Sequence, residues 1–346
     1  MGTKEDLRIQ VMMVGGRRCG KTSILAAMQS NFQDAFADTN LTLLCSDLDT
    51  LSVLDAKHNE INDYFSNMGN RTFVPDNNPT EEITIYSFAI GIKGKKGKIR
   101  VDFVDYPGEW LKDKEHKEKL LECMKKSQAI IIAVDTPHMM EEEGQFNQLQ
   151  NFCHYTGEML KMAFEETKKH MSLVLFVPLK CERYLMDDKM SDVSIKTEES
   201  YEELIRYLKK EGNYEVAVTP IITLGGAAFS KFERDAETRK IKLNDKFHTP
   251  EKAIYYFPKI DVKVPEPQYC EQPMVYLLAY LLQLAEKSKE NIYQRSNLFT
   301  KLGIVFQQKF WGSTSATDYY EQRRDVLKKL KKDGDGYRIL QNPMGF

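Results

Sequence analysis

Apolar residues along this chain recur in two rhythms. Short, nearly unbroken apolar runs stand at residues 9–14, 129–135, 172–178 and 215–223, and stretches with helical character separate them, within 141–169 and near 198–210. Buried strands alternating with helices predict a parallel sheet covered on both faces. Residues 83–92 alternate, and a Lys93-Gly-Lys-Lys-Gly97 turn joins them to a second run at 98–105, which predicts an antiparallel hairpin whose basic tip is solvated and discourages edge pairing. Leu48, Leu51, Leu54, Ile61 and Phe65 fall near helical spacing and predict a helix over about 47–65, followed by a turn-rich stretch at 67–79. A charged helix is expected at 111–127, a helix that closes the sheet at 274–286, and a capping box from Ser200 and Glu203.

These elements define an α/β fold: a mostly parallel six-stranded sheet with one antiparallel hairpin strand and helices on both faces. The domain runs over 1–287, with a helical insertion at about 34–70 and a charged surface insertion at about 228–252. Residues 288–346 form a polar, finally basic extension, read as a helical appendage or a partner-binding arm.

Composition narrows the function classes. The chain has 346 residues, 42% of them hydrophobic, enough for one large core or two smaller ones. A net charge of −2 provides no global basic field for nucleic acid or an anionic membrane. Six cysteines without C-x-x-C spacing read as free thiols of a reducing compartment, and the six histidines show no metal spacing. The polar N-terminus is unlike a signal peptide, and the longest apolar run, 274–282, is too short to span a bilayer, so a cytoplasmic location is expected.

The candidate chemistry starts at Gly15-Gly16-Arg17-Arg18-Cys19-Gly20-Lys21-Thr22, a G-x-x-x-x-G-K-[ST] loop between an apolar run and the helix-type residues from Ser23 onward. Glycines at both ends let successive N–H groups face phosphate oxygens. Lys21 supplies charge to the β- and γ-phosphates, and the Thr22 hydroxyl is a ligand for Mg²⁺. Asp105, at the end of an apolar strand, begins D-x-x-G: its carboxylate suits the metal, and the Gly108 N–H suits the γ-phosphate. Thr80, just ahead of the hairpin, is the candidate hydroxyl that closes on the metal, with Thr84 the weaker alternative.

The order of these parts resembles the TRAFAC class of P-loop GTPases, which includes Ras-like proteins. Val104-Asp-Tyr-Pro-Gly-Glu-Trp-Leu111 narrows the resemblance to the bacterial double-GTPase (DO-GTPase) and YcjX-like families. The resemblance implies a Ras-like fold over about residues 8–286 and Mg²⁺-dependent nucleotide hydrolysis. It also implies work alongside partner proteins, often in bacterial conflict or stress systems. Where such proteins carry N-K-x-D, this chain has Leu179-Lys180-Cys181-Glu182. Lys180 can lie over the purine and Glu182 can accept from guanine N1–H and N2–H₂, which favours GTP or GDP, although Leu179 cannot replace the Asn. Thr223-Leu-Gly-Gly226 occupies the place of the remaining base loop.

For hydrolysis, Glu109 stands where Ras-like enzymes have Gln, so turnover without a partner is expected to be slow. Arg17, Arg18 and Arg71 are sources of positive charge in cis, with Arg17 the foremost. Trp110 is a core anchor or a partner-facing aromatic. The first reading is a GTP-hydrolysing molecular switch that needs a protein partner. The alternatives are a nucleotide-binding scaffold with little hydrolysis and an ATP-specific P-loop ATPase, and homodimerisation through the nucleotide face stays open.

Overall fold

The computed structural model describes residues 8–66, 72–75, 82–94, 98–167, 172–259, 264–290, 316–343 and 345. Its first half contains β1 (Arg8–Val14), α1 (Lys21–Ala35), β2 (Leu41–Cys45), α2 (Leu48–Ser66), β3 (Thr72–Phe73), β4 (Thr84–Ile92), β5 (Lys98–Asp105), α3 (Lys117–Lys126), β6 (Ala129–Asp135), α4 (Thr136–Met140), α5 (Asn147–Asn151) and α6 (Cys153–Thr167). The second half contains β7 (Ser172–Leu179), α7 (Glu182–Met186), α8 (Met190–Ser200), α9 (Glu202–Glu211), β8 (Tyr214–Val218), β9 (Ala228–Phe232), β10 (Ala253–Tyr256), α10 (Gln272–Glu290), α11 (Ala316–Lys329) and β11 (Arg338–Gln341).

The main sheet has the order β11-β8-β7-β6-β1-β5-β4-β2. Strands β8, β7, β6, β1 and β5 are parallel neighbours, and β4 pairs antiparallel with β5 from Thr84↔Asp105 to Gly91↔Lys98, the expected hairpin. The sheet has eight strands rather than six. One addition is β2, antiparallel to β4 inside the stretch expected to be helical, and the other is β11, antiparallel to β8. Both are short edge strands whose five and four residues carry little periodic signal.

Side-chain alternation along the central strands separates two cores. Ile9, Val11 and Met13 of β1, with Ala129, Ile131 and Ala133 of β6, face α1 and α10. Met12 and Val14, with Ile130, Ile132 and Val134, face α3, α6, α8 and α9. Every residue of β6 is buried, as an apolar run covered on both faces must be. Helix α10 carries Pro273 in its first turn, where the missing N–H costs nothing.

Several boundaries differ from those expected. The helical stretch 141–169 breaks at Phe152, which takes a left-handed φ of 51° between α5 and α6. The helix near 198–210 is two helices meeting at Tyr201. Ser200 forms no capping box, because its hydroxyl donates to Lys196 O and accepts from Asn147 Nδ2. The strand expected over 215–223 ends at Val218, two residues before Pro220. The segment 111–127 opens as a 3₁₀ turn, Gly108–Lys112, ahead of α3. The charged 228–252 insertion supplies β9, which joins β10 and β3 in a separate three-stranded sheet. Past α11, the Tyr337 hydroxyl donates to Pro220 O at 2.7 Å and anchors the C-terminal strand beside β8. All six cysteines are free, and no helix among the described residues is long and apolar enough to cross a membrane.

Candidate functional site

The loop Gly15–Gly20 leaves the carboxyl end of β1 at the centre of the sheet, where an open α/β sheet places its ligands. It is pressed from two sides. A Cβ on Gly16 would lie 1.8 Å from Gln150 O, and one on Gly108 would lie 2.2 Å from Arg17 N. Only glycine permits those approaches, and the second brings the D-x-x-G segment onto the phosphate loop. Gln150 Nε2 also donates to Arg17 O at 2.6 Å, so α5 holds the loop from outside.

Lys21 and Asp105 meet beneath the loop. Lys21 Nζ donates to Gly15 O at 3.2 Å and Gly16 O at 3.3 Å, and lies 3.6 Å from Asp105 Oδ1. Burial alone would lower the Lys21 pKa, but the Asp105 carboxylate, with Cys19 and Glu109, turns the net shift upward, so the ammonium stays charged. The Thr22 hydroxyl donates to Asp105 Oδ2 at 3.3 Å. A hydroxyl and a carboxylate side by side are hard oxygen donors and fit Mg²⁺. Thr84 lies opposite Asp105 in the β4–β5 pairing, whereas Thr80 and Arg71 fall outside the described residues. Cys19 is fully buried, and burial raises its thiol pKa, so it is a packing residue.

The two arginines of the loop diverge. Arg18 is exposed with a φ of 58°. Arg17 is half-buried, its guanidinium 5.1 Å from the ring centre of Phe247 in the insertion, and its Nε is buried without a hydrogen-bond partner among the described residues. Glu109 follows Gly108 in the 3₁₀ turn, with an Oε2 buried and unpartnered among the same residues. Arg17, Glu109, Lys180, Phe247 and Lys252 border a cavity of about 560 Å³ between the loop and the insertion. Trp110 is half-buried, stacked 3.7 Å from His116 and packed on the second core, the anchoring role.

Lys180 is fixed by its backbone and by two hydrogen bonds. It takes a left-handed φ of 59°, a conformation that costs a non-glycine residue about 1–2 kcal/mol, and its Nζ donates to Arg18 O at 3.1 Å and Asp135 Oδ2 at 2.5 Å. Asp135 is fully buried, which would raise its pKa, but His138 and Lys180 outweigh burial and hold the carboxyl well below the usual range. Glu182 does not face the same space. It is 2% exposed, its Oε1 accepts from Leu224 N at 2.8 Å, and burial raises its pKa. The geometry makes it a clasp on the 223–226 loop.

Asp135, Gln150 and Phe247 were not legible as site residues. Asp135 did carry a signal, the same acidic strand end that marked Asp105. Gln150 and Phe247 reach the loop only through tertiary packing.

A family model described as Double-GTPase 2 matches residues 9–221. No curated protein matches the chain. Among solved structures, GDP-bound RocCORdC of Methanosarcina barkeri Roco2 overlaps 64% of this chain at 15% identity and a TM-score of 0.29. The chain spans 46% of that protein's length, and likeness at this level carries no argument. The family match, in contrast, covers more than half of the chain and runs through the elements that carry Lys21, Asp105 and Lys180, so the chain belongs to the Double-GTPase 2 family.

Proposed function

We propose that the protein binds GTP with Mg²⁺ and hydrolyses it slowly, as a switch completed by a protein partner. The observation that carries this reading is the cluster of Lys21, Thr22 and Asp105 under a phosphate loop that Gly108 touches. Thr22 and Asp105 are the residues that would hold Mg²⁺, with Thr80 as the third, and the ion supplies charge neutralisation at the phosphates when bound. Lys21 and the loop N–H groups from Gly16 to Ser23 stabilise the charge that spreads over the transferring phosphoryl group while water attacks in line. When the γ-phosphate leaves, the Gly108 N–H is deprived of its acceptor, which frees the switch segments. Family membership supports guanine over adenine, and on this reading Lys180, held at the loop by Arg18 O, covers the purine.

Beside Lys21, Arg17 of the loop is a second cation that the chain itself offers to this chemistry, and Phe247 steadies it. Glu109 opposes it, since a carboxylate beside the γ-phosphate repels it. That residue favours a second reading, a nucleotide-binding scaffold with little turnover. Phosphate release measured over hours, with wild type and Asp105→Ala side by side, separates the two. Magnesium-dependent release that Asp105→Ala lowers about a hundredfold is the expected result, and equal rates sink the hydrolytic reading. Displacement of a fluorescent GTP analogue equally by GTP and ATP sinks the guanine assignment.

A further inference from the structure

The base end of the site lacks the contacts that guanine needs. Leu179 has no hydrogen-bonding side chain, and Glu182 is buried with Oε1 holding Leu224 N, while its Oε2 is buried without a hydrogen-bond partner among the described residues. Next to Lys180, however, a small cavity of about 40 Å³ is bordered by Gly20 and Ser23 at the end of the phosphate loop and by Thr223 and Leu224 of the base loop. It borders Lys180, the residue assigned above to the purine. Lys57, Glu60, Ile61 and Tyr64 of α2 form another wall, and Pro75 and Tyr255 close the space. The space suits a few waters and is far smaller than a purine.

Glu60 supplies the carboxylate on that wall. Its Oε1 accepts from Lys57 Nζ at 2.9 Å and from Tyr64 OH at 2.9 Å, and its Oε2 accepts from Lys57 Nζ at 2.8 Å. Two carboxylate oxygens offer about four acceptor positions, so Oε2 keeps one, and a second opens if Lys57 bonds a single oxygen. Tyr64 belongs to an apolar cluster in which Ile61 and Phe65 of α2 pack with Phe73, Leu224, Ala227 and Phe257. Helix α2 is thereby tied to the base loop itself.

We infer that Glu60 of α2, oriented by Lys57 and Tyr64, accepts hydrogen bonds from guanine N1–H and N2–H₂ and sets base specificity in place of Glu182. This rests on the guanine-nucleotide reading above. The carboxylate comes from an insertion rather than from the strand-end loop. The cavity between α2 and Lys180 is smaller than a purine, so the proposed site requires the α2 wall and the base loop to part when the base enters. Adenine offers an acceptor at N1 and meets the carboxylate with repulsion, while xanthine replaces the N2 amine with an oxygen that a carboxylate also repels.

The test uses the full chain and displacement of a fluorescent GTP analogue by GTP, XTP or ATP, for wild type, Glu60→Gln, Glu182→Gln and Lys57→Met. A glutamine at position 60 can still accept from N1–H and can donate to the xanthine oxygen. Glu60→Gln is therefore expected to weaken GTP roughly tenfold and to strengthen XTP by a similar factor. Lys57→Met frees the carboxylate and keeps the order GTP over XTP, which covers the case in which Glu60→Gln does not fold. Unchanged GTP preference in folded Glu60→Gln overturns the assignment, as does the same switch produced by Glu182→Gln, or XTP bound as well as GTP by Lys57→Met. Wild type that binds ATP as tightly as GTP fails the guanine reading as well, a result distinct from these.

Discussion

The two ends of the candidate site are built differently. At the phosphate end, Lys21 and Thr22 open α1 just after β1, Asp105 ends β5, β1 and β5 pair directly in the sheet, and the polar atoms meet within 3.3–3.6 Å. At the base end, Lys180 is in place, but Leu179 is apolar, Glu182 is committed to Leu224, and a helix from an insertion forms the wall. The difference follows from what each end must do. Concentrated phosphate charge needs several donors held without reorganisation, and few geometries provide them. A neutral base needs two or three hydrogen bonds, which any nearby surface can supply.

The largest effect expected from breaking this comparison is at Lys21. Lys21→Ala removes the buried charge at the phosphate end and is expected to weaken GTP about a thousandfold by titration calorimetry, the loss of two charge-assisted hydrogen bonds. Asp105→Ala should lower phosphate release about a hundredfold while GDP binding changes much less, since its role lies with the metal and the transition state. Arg17→Ala is expected to cost about tenfold in the single-turnover rate, and Phe247→Ala a fraction of that, with Phe247→Tyr restoring it. Equal losses for Arg17→Ala in GDP affinity and in rate would assign Arg17 to binding alone.

The smallest effect concerns the clasp. Burial raises the Glu182 pKa in the folded protein, so folding takes up a proton there. That contribution to stability is full below the ordinary glutamate value and is lost as pH rises through the raised one. Melting temperatures recorded across that window should show a flatter pH dependence in Glu182→Gln than in wild type. Parallel curves would remove Glu182 from the account.

How much of this was legible in the sequence depended on distance along the chain. The phosphate loop is one contiguous segment whose conformation its own glycines dictate, and Asp105 is marked by the apolar strand that precedes it. The central strands were equally plain, because β6 and β7 are buried on both faces and read as unbroken apolar runs. Strand β2 was hidden by its length and by exposed Leu44, and β11 by half-exposed residues in a polar tail. The inward turn of Glu182 depends on Leu224, and the α2 wall depends on packing between residues 61–65 and 224–257. No local pattern encodes either pairing. Glu182 occupied the right position in the motif, and the third dimension gave it a different partner.

The Tyr337 hydroxyl bonds to Pro220 O, three residues before Thr223, so the last strand and the base loop share a tether. On the proposed reading, a protein bound at β11 would act through this tether on the loop assigned to the base. Reciprocity then requires that bound nucleotide alter the grip by the same factor. On that reading, the far edge of the sheet is a place from which nucleotide affinity could be changed without touching the nucleotide itself.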